Sequence, residues 1–171
     1  MDNIEKYLTQ LKGLHTAKMG GRQAPHKAVL LLAIMELVEK GVITTERIEL
    51  TEDLSITFLD IWYENIGRNP LYKPNIDKPF WHLKNEPFYN LYMKDGSDLR
   101  QFGNPYSVRK LREMTYAVLD KELFELLKHN DTRRIIRAVL YDTYLQGWNT
   151  QNSPATLYSL IIANMLIRLV A

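Results

Sequence analysis

The sequence predicts a mainly α-helical, bundle-like single domain with a small β-hairpin and long loops in its middle. Three observations support this fold class. Apolar residues recur at helical spacing on both sides of residues 67–107, that middle region holds most of the prolines, and two short aromatic segments within it have a strand-like pattern. A length of 171 residues fits one domain with a sizeable core, so we assign residues 1–171 to a single domain.

The first two helices are predicted from apolar spacing and from the residues at their ends. Residues 3–18 carry apolar side chains at helical intervals, and the glycine pair at 20–21 is expected to end that helix. The second helix begins at Pro25, because proline suits a first turn, and ends at Gly41. Residues 28–35 are apolar on every face, so we expect this helix to be central and surrounded by others.

The rest of the chain is predicted as further helices joined by loops. Residues 42–50 are expected to form a short strand or an extended link, and the acidic start at 51–53 opens a helix that runs to about residue 66. Loops are predicted at 67–79 and 95–107. Helices are predicted at 107–115, 120–129, 131–146 and, after a turn-rich link, 155–170.

A β-hairpin is predicted where the sequence repeats a pattern. PFWHL and PFYNL, which begin at Pro79 and Pro87, are separated by three residues. Side chains of a strand alternate between two faces, so we expect Trp81 and Leu83 to lie in the core. Pro79 and His82 are then expected at an exposed edge.

Composition excludes several classes of protein. The chain has no cysteine, which excludes disulfides and thiolate metal sites and fits a reducing cytoplasm. The segment MDNIEKYLTQ lacks the basic and apolar regions of a signal peptide. The apolar run LYSLIIANMLIRLVA is too short to span a bilayer comfortably and contains Asn164 and Arg168. We therefore expect a cytoplasmic protein with no membrane partner, whose last helix closes the core or forms a self-association surface.

Positive charge is concentrated in the middle of the chain. The net charge is only +2, but residues 68–112 hold nine Lys or Arg against four Asp or Glu. Aromatic residues are interleaved with these cations, a pattern typical of nucleic-acid surfaces. This favours a polyanion-binding surface on irregular structure. The alternative is a solvated loop with scattered lysines, whose aromatic residues belong to the core.

The start of the second helix carries an unusual set of charges. Helix starts favour acidic residues, yet here Arg22, His26 and Lys27 occur without an acid. One interpretation is that an anion such as phosphate docks on the free backbone N–H groups and these side chains. In the alternative, Arg22 and Lys27 pair with distant acids and His26 caps a loop carbonyl.

No pattern in the sequence supports catalysis. The four histidines have no metal-ligand spacing, and GxSxG, P-loop and GxGxxG motifs are absent. We therefore predict a binding module with no catalytic residue, metal or cofactor. An enzyme with an unrecognised site is the least favoured alternative.

Three blocks of the sequence together resemble the sulfur-binding domain, the N-terminal module of DNA-phosphorothioate-dependent HNH restriction endonucleases. The blocks are R-x-x-x-H-K (Arg22, His26 and Lys27) before an aliphatic helix, P-F-W-x-L (Pro79 to Leu83) before a second aromatic segment, and the S-x-x-x-L-R-E run from Ser107 to Leu127. They occur in the family's order and cover residues 4–146.

The resemblance implies recognition of double-stranded DNA in which sulfur replaces a non-bridging phosphate oxygen. In the family a small apolar cavity receives the sulfur, and basic residues hold the backbone. Sulfur is less strongly hydrated than oxygen, so an apolar wall rejects ordinary phosphate more than phosphorothioate. Pro79 matches the family's cavity proline, but Lys78 stands where the family has an aromatic residue. Tyr72 and Tyr106 are the nearby aromatic residues that could replace it.

These arguments define a predicted DNA-binding set. It comprises Arg22, His26, Lys27, Lys78, Pro79, His82, Tyr106 and Arg109, with Arg112 as a further contributor. Any nuclease is expected in a separate domain or partner. The alternative function is a helical protein-interaction or homodimerisation module without DNA binding, which rests on the apolar segment at 155–170.

Overall fold

The computed structural model describes residues 2–69 and 71–148, and most of these residues are helical. The α-helices are α1 (Asp2–Lys12), α2 (His26–Glu39), α3 (Glu52–Asn65), α4 (Asp77–His82), α5 (Val108–Met114), α6 (Lys121–Lys128) and α7 (Asn130–Leu140). The strands are β1 (Lys18–Met19), β2 (Arg22–Gln23), β3 (Arg47–Ile48), β4 (Tyr89–Met93) and β5 (Thr115–Leu119). Short 3₁₀ turns cover Leu83–Asn85 and Leu99–Gln101, and a π-helical turn at Tyr141–Leu145 follows α7. The mainly α prediction is confirmed.

Helix α2 is the centre of the core, as its sequence predicts. Apart from His26, Glu36 and Glu39, every residue of α2 is buried. Helices α3, α4, α6 and α7 all pack against it. A side chain such as Leu30 or Ile34, with no exposed surface, stabilises the fold by about 1.5–3 kcal/mol through burial. The start of α2 is therefore held rigidly from several sides.

The three-stranded sheet contains a strand that the sequence analysis missed. Its order is β3-β5-β4, with antiparallel pairing throughout and Leu91 of β4 opposite Ala117 of β5. One face is buried, as the alternating burial of both long strands shows. The missed strand is β5, whose residues lie between α5 and α6 and pair with distant parts of the chain.

The predicted β-hairpin at PFWHL and PFYNL is wrong, because the first segment is helical. Asp77 and Pro79 occupy the first turn of α4, where an acid and a proline are both favoured. The three-residue spacing then places Phe80 and Leu83 together in the core, each with no exposed surface. The second segment does form a strand, β4, but its partner is β5. Tyr89 of β4 nevertheless contacts α4, because its hydroxyl donates to the Phe80 carbonyl at 2.8 Å.

Burial within PFWHL differs in part from the hairpin prediction. Leu83 is buried as expected, whereas Trp81 is half-buried and packs on Phe102 with ring centroids 5.3 Å apart. Pro79, expected at an exposed edge, is buried, and His82 is half-buried. The helix turns Pro79 inward, which a strand edge would not do.

The glycine pair at 20–21 forms a hairpin turn instead of ending the first helix. Helix α1 ends at Lys12, six residues earlier than predicted. Strands β1 and β2 then pair with Met19 opposite Arg22, which leaves the two glycines as the connecting turn. Both have positive φ, 60° and 77°, a conformation that this tight hairpin requires and glycine adopts without strain.

The remaining helix predictions within the described ranges are confirmed. Thr51 caps α3 by accepting a hydrogen bond from the Leu54 N–H at 3.1 Å. The π-helical turn after α7 returns the chain to α1, because the Tyr144 hydroxyl donates to the Leu11 carbonyl at 2.8 Å. None of the described helices is long and apolar enough to cross a bilayer. The helix predicted at 155–170 lies outside the described residues, and the single-domain assignment stays a prediction.

Candidate nucleic-acid interface

A cleft of about 630 Å³ lies between the chain that precedes α2, the first turn of α2, the segment at 71–75 and α4. Its lining residues are His15, Thr16, Ala17, Ala24, His26, Lys27, Leu71, Tyr72, Lys73, Asn75, Lys78, Pro79, His82 and Asn85. This lining contains three lysines and three histidines. Among the residues that the structure describes, no Asp or Glu belongs to it. The cleft is therefore a concave surface whose polar groups suit an anion.

Lys27 lies at the base of the cleft, which is its buried part, and the carboxylate of Glu86 neutralises the Lys27 charge. Its side chain is only 7% exposed, and its Nζ lies 2.5 Å from Oε1 of Glu86, which is 1% exposed. Glu86 follows the 3₁₀ turn after α4 and also accepts hydrogen bonds from the backbone N–H and the ring Nδ1–H of His15, at 2.9 and 3.1 Å. This carboxylate thus joins the chain after α1 to the start of α2.

His26 forms part of the cleft wall through its ring contacts. Its Nε2 lies 2.7 Å from the Lys73 carbonyl, and because a carbonyl only accepts, Nε2 carries the proton. The ring also packs against Trp62 and Tyr72, with centroids 4.6 and 5.5 Å away. Burial lowers the pKa of His26 below its ordinary value, and the bond to the Lys73 carbonyl opposes that shift. His26 is therefore held in a fixed orientation.

Arg22 is directed away from the cleft lining. Its Nη1 donates to the Gly147 carbonyl at 2.6 Å, and its guanidinium lies 5.2 Å from the Trp148 ring centre. The cations at the start of α2 therefore do not converge on one point. Lys27 pairs with a distant acid and His26 caps a loop carbonyl, as the alternative interpretation predicted, whereas Arg22 donates to a backbone carbonyl in place of the expected acid. A role for each of them in DNA binding stays a prediction.

Helix α4 contributes the opposite wall of the cleft. Lys78 and His82 are four residues apart and so lie on one face of the helix. The His82 Nε2 lies 3.1 Å from the hydroxyl of Tyr106, and the Lys78 Nζ lies 6.0 Å from the Tyr106 ring centre. Burial lowers the pKa of His82 below its ordinary value, and the positive charges of Lys84, Lys27 and Lys78 lower it further. The structure thus brings together three predicted site residues.

An apolar wall connects these polar groups. Pro79 and Tyr72 are buried lining residues, and Leu71 lies half exposed beside them. Tyr72 packs between His26 and Trp148, with ring centroids 5.5 Å from each. Of the two aromatic residues considered as substitutes before Pro79, Tyr72 is the one that lines the cleft. Tyr106 lies beside His82 and is 50% exposed.

Four predicted residues lie outside the cleft lining: Arg22 and Tyr106, whose contacts are given above, and Arg109 and Arg112. Arg109 donates to Glu113 at 2.9 Å within α5, and Arg112 donates to the Leu50 carbonyl at 2.9 Å. Conversely, the sequence analysis did not select Lys73, which is exposed in the lining, or Glu86 behind it. Lys73 had a signal, since it is one of the cations interleaved with aromatic residues. Glu86 had none, because it resembles an ordinary acid in a turn.

Comparison with solved structures identifies a similar fold. The chain is similar to a structure described as the sulfur binding domain of SprMcrA complexed with phosphorothioated DNA, with a TM-score of 0.62 and 16% sequence identity over 85% of this chain and 88% of that chain. No protein-family model matches the chain, and no curated protein matches it. At this level of identity the likeness shows that this chain and that domain share a fold. The predicted resemblance is confirmed to that extent.

Proposed function

We propose that this chain is a DNA-binding module that holds the backbone of double-stranded DNA in the cleft, with preference for a phosphorothioate. The observation that carries this proposal is the combination of exposed lysines, a buried apolar wall and no acidic lining residue in one cleft of the described chain. The fold adds support, because the SprMcrA domain that shares it was solved with phosphorothioated DNA.

Exposed cations at the rim of the cleft would hold ordinary phosphates. Lys73 and Lys78 are both exposed, and neither has a carboxylate within 4 Å among the described residues. Each phosphate that such a lysine neutralises releases a counterion from the DNA, so affinity falls as salt rises, with a slope of about −0.9 per contact. His82 and Tyr106 form a hydrogen bond with each other beside Lys78, which leaves one of the two with a donor that a phosphate would accept from.

The apolar wall would provide the preference for sulfur. Pro79 and Tyr72 are buried, so an atom placed against them loses contact with water. Burial of a polar group without a replacement hydrogen bond costs about 1–3 kcal/mol, and more for a charged group such as phosphate. Sulfur is more weakly hydrated than oxygen and loses less. Discrimination would therefore arise partly from rejection of oxygen.

The test is a binding comparison between two short duplexes that differ in one phosphorothioate. We expect tighter binding of the modified duplex, and affinities for both that fall as salt is raised. Lys78→Ala should weaken both complexes, while Lys40→Ala, which removes an exposed lysine paired with Glu36, serves as the matched control. Equal affinity for the two duplexes would remove the claim about sulfur, and no salt-sensitive binding would remove DNA binding itself.

We further propose that the chain acts in the cytoplasm as the recognition part of a restriction or defence system and has no enzymatic activity of its own. A nuclease, of the HNH type by the family resemblance, would lie in a separate domain or partner. In the described ranges, no group of three His, Cys, Asp or Glu side chains is arranged to hold a metal ion. Incubation of the purified chain with modified DNA and Mg²⁺ would test this directly, since cleavage would contradict it.

The alternative of a homodimerisation module has less support from the described residues. It was based on residues 155–170, which lie outside them. Helix α3 does expose an apolar stripe of Ile56, Leu59 and Tyr63. However, the residues of α3 include four acids and no Lys or Arg, so two copies of this helix would repel each other across a two-fold contact.

A further inference from the structure

We infer that Glu86 determines the preference for sulfur over oxygen by cancelling the charge of Lys27 at the base of the cleft. This inference rests on the proposed function and adds a residue that contacts neither the backbone nor the sulfur. Glu86 is absent from the cleft lining, whereas Lys27 belongs to it. Glu86 would therefore act through Lys27, as a positioning and neutralising residue.

The ion pair differs in its surroundings from the cleft's other cations. The Lys27 side chain is 7% exposed and that of Glu86 is 1% exposed, with 2.5 Å between Nζ and Oε1. Lys73 and Lys78 are exposed to solvent. The cleft thus has free positive charge at its rim and a compensated charge at its base, where a bound atom would be farthest from water.

The position of Glu86 is fixed by the protein itself. Both of its carboxylate oxygens are used, because Oε1 accepts from Lys27 and from the His15 N–H, while Oε2 accepts from the His15 ring. Three donors from two separate segments leave the carboxylate little freedom to turn away. Neutralisation of Lys27 is therefore a property of the fold and does not depend on DNA.

Because Glu86 compensates the charge of Lys27, the base of the cleft favours sulfur over oxygen. An unpaired ammonium in a poorly hydrated site attracts most strongly the ligand with concentrated charge and strong hydrogen bonding, which is a phosphate oxygen. Pairing with Glu86 reduces that attraction to a dipole. The apolar wall then determines which atom is preferred. Sulfur is larger and less hydrated than oxygen, so it loses less hydration free energy on entering. Removal of the carboxylate charge should thus improve binding of ordinary DNA.

Glu86→Gln tests this directly, because the amide keeps the shape of the side chain and removes its charge. The variant should bind the unmodified duplex more tightly, so that the ratio of the two dissociation constants falls by about tenfold, within the range found for close charge pairs. Its salt dependence should steepen by about 0.9, as expected for one additional phosphate contact. A purely structural role for Glu86 would weaken both complexes and leave the ratio and the slope unchanged.

A second variant keeps the test decisive if Glu86→Gln is unstable, since that substitution leaves a buried cation without a partner. Lys27→Met combined with Glu86→Gln contains no unpaired charge. The ratio of the dissociation constants of this double variant for the two duplexes should stay within about threefold of that of the original chain, because the base of the cleft is again neutral. Thermal unfolding of each variant establishes that folded protein is compared.

The outcomes separate this inference from the proposed function. If the original chain prefers the modified duplex and folded Glu86→Gln keeps the full ratio and slope, the role of Glu86 is wrong while the proposed function stands. A preference for the modified duplex that disappears in the neutral double variant also contradicts the role of Glu86. If the original chain has no preference, the proposed function fails and this inference fails with it. A lowered ratio in Glu86→Gln that the double variant restores confirms it.

Discussion

Two concave surfaces of this protein contain cations but differ in whether these cations are paired with carboxylates. The cleft between α2 and α4 has exposed lysines without carboxylate partners in the described chain. A second groove of about 440 Å³, between α2, α3 and α7, also contains cations. There Lys40 pairs with Glu36 at 2.6 Å, and Arg137 pairs with Glu39 at 2.7 Å. The number of cations is thus a poor guide to a binding surface, and their pairing is a better one.

The difference has a physical consequence for binding. In the second groove a polyanion would have to displace carboxylates that already satisfy the cations, and Glu36 and Glu39 would repel it. In the cleft, Lys73 and Lys78 face solvent, and the carboxylate that pairs with Lys27, that of Glu86, is buried. The cleft therefore presents a positive field that the second groove does not.

The largest expected effect comes from removal of the free cations at the rim. Lys73→Ala combined with Lys78→Ala should weaken binding of modified and unmodified duplexes by about thirtyfold at low salt, because two phosphate contacts are lost. Fluorescence anisotropy with labelled duplexes measures this. The matched control is Lys40→Ala with Arg137→Ala, which removes two cations from the second groove and should change affinity less than twofold. Equal losses in the two double variants would abolish the distinction between the surfaces.

The next effect concerns the apolar wall of the cleft. Pro79→Ser should reduce the preference for the modified duplex by about fivefold, because a hydroxyl in the wall can hydrogen-bond an entering oxygen. The change should come from tighter binding of the unmodified duplex, while affinity for the modified duplex changes little, since no cation is lost. Competition between the two duplexes for one sample gives the ratio without an absolute calibration. If the ratio persists in a folded Pro79→Ser variant, the sulfur must lie elsewhere.

The sequence predicted the parts of the fold that depend on local spacing. Helix α2 follows from its apolar run and end residues, and α3 from apolar periodicity and its acidic start, all of which are local properties. Strand β5 could not be found in this way, because its pairing with β3 and β4 joins residues far apart in the chain. The segment PFWHL was ambiguous, since a short apolar run fits a strand or a helix until its packing is known.

Prediction of the site shows the same limit. Lys78, Pro79 and His82 do lie together, but one helical turn of α4 achieves this in place of the predicted strand. The pairing of Lys27 with Glu86 spans 59 residues, and nothing in either neighbourhood indicates it. Charge at the start of α2 was visible in the sequence, whereas its neutralisation required the fold.

A smaller effect is expected from pH, because the lining of the cleft contains histidines and the described lining of the second groove contains none. Burial and the neighbouring Lys84, Lys27 and Lys78 hold the pKa of His82 below 6.5, so the free protein has a neutral ring at pH 7. A bound phosphate favours the charged ring, so DNA binding should take up a proton and strengthen by about threefold as pH falls through the lowered pKa. His82→Gln should remove this dependence, whereas His129→Gln, at an exposed position on α6's end, should keep it.

The same lowered pKa values have the opposite effect on stability. His26 and His82 favour the neutral form in the folded chain, so the unfolded chain binds more protons below pH 6.5. The free energy of unfolding should therefore fall as pH decreases from 6.5 through the lowered pKa values, while DNA affinity rises. Urea denaturation at pH 7.5 and 5.5 measures the first trend, and binding titrations measure the second. Parallel changes in stability and affinity would show that the histidines do not face the DNA.

The smallest effect is expected from Arg22 of β2, which lies outside the cleft lining. Because its guanidinium is engaged with the Gly147 carbonyl and Trp148, outside the cleft lining, it can meet only the outer part of a bound duplex. Arg22→Ala should weaken modified and unmodified duplexes equally, by less than about threefold, as one peripheral phosphate contact would. Titrations of both duplexes at two salt concentrations resolve this. A change in the ratio of the two affinities would instead require Arg22 to turn from Trp148 into the cleft when DNA binds, and would extend the sulfur site to β2.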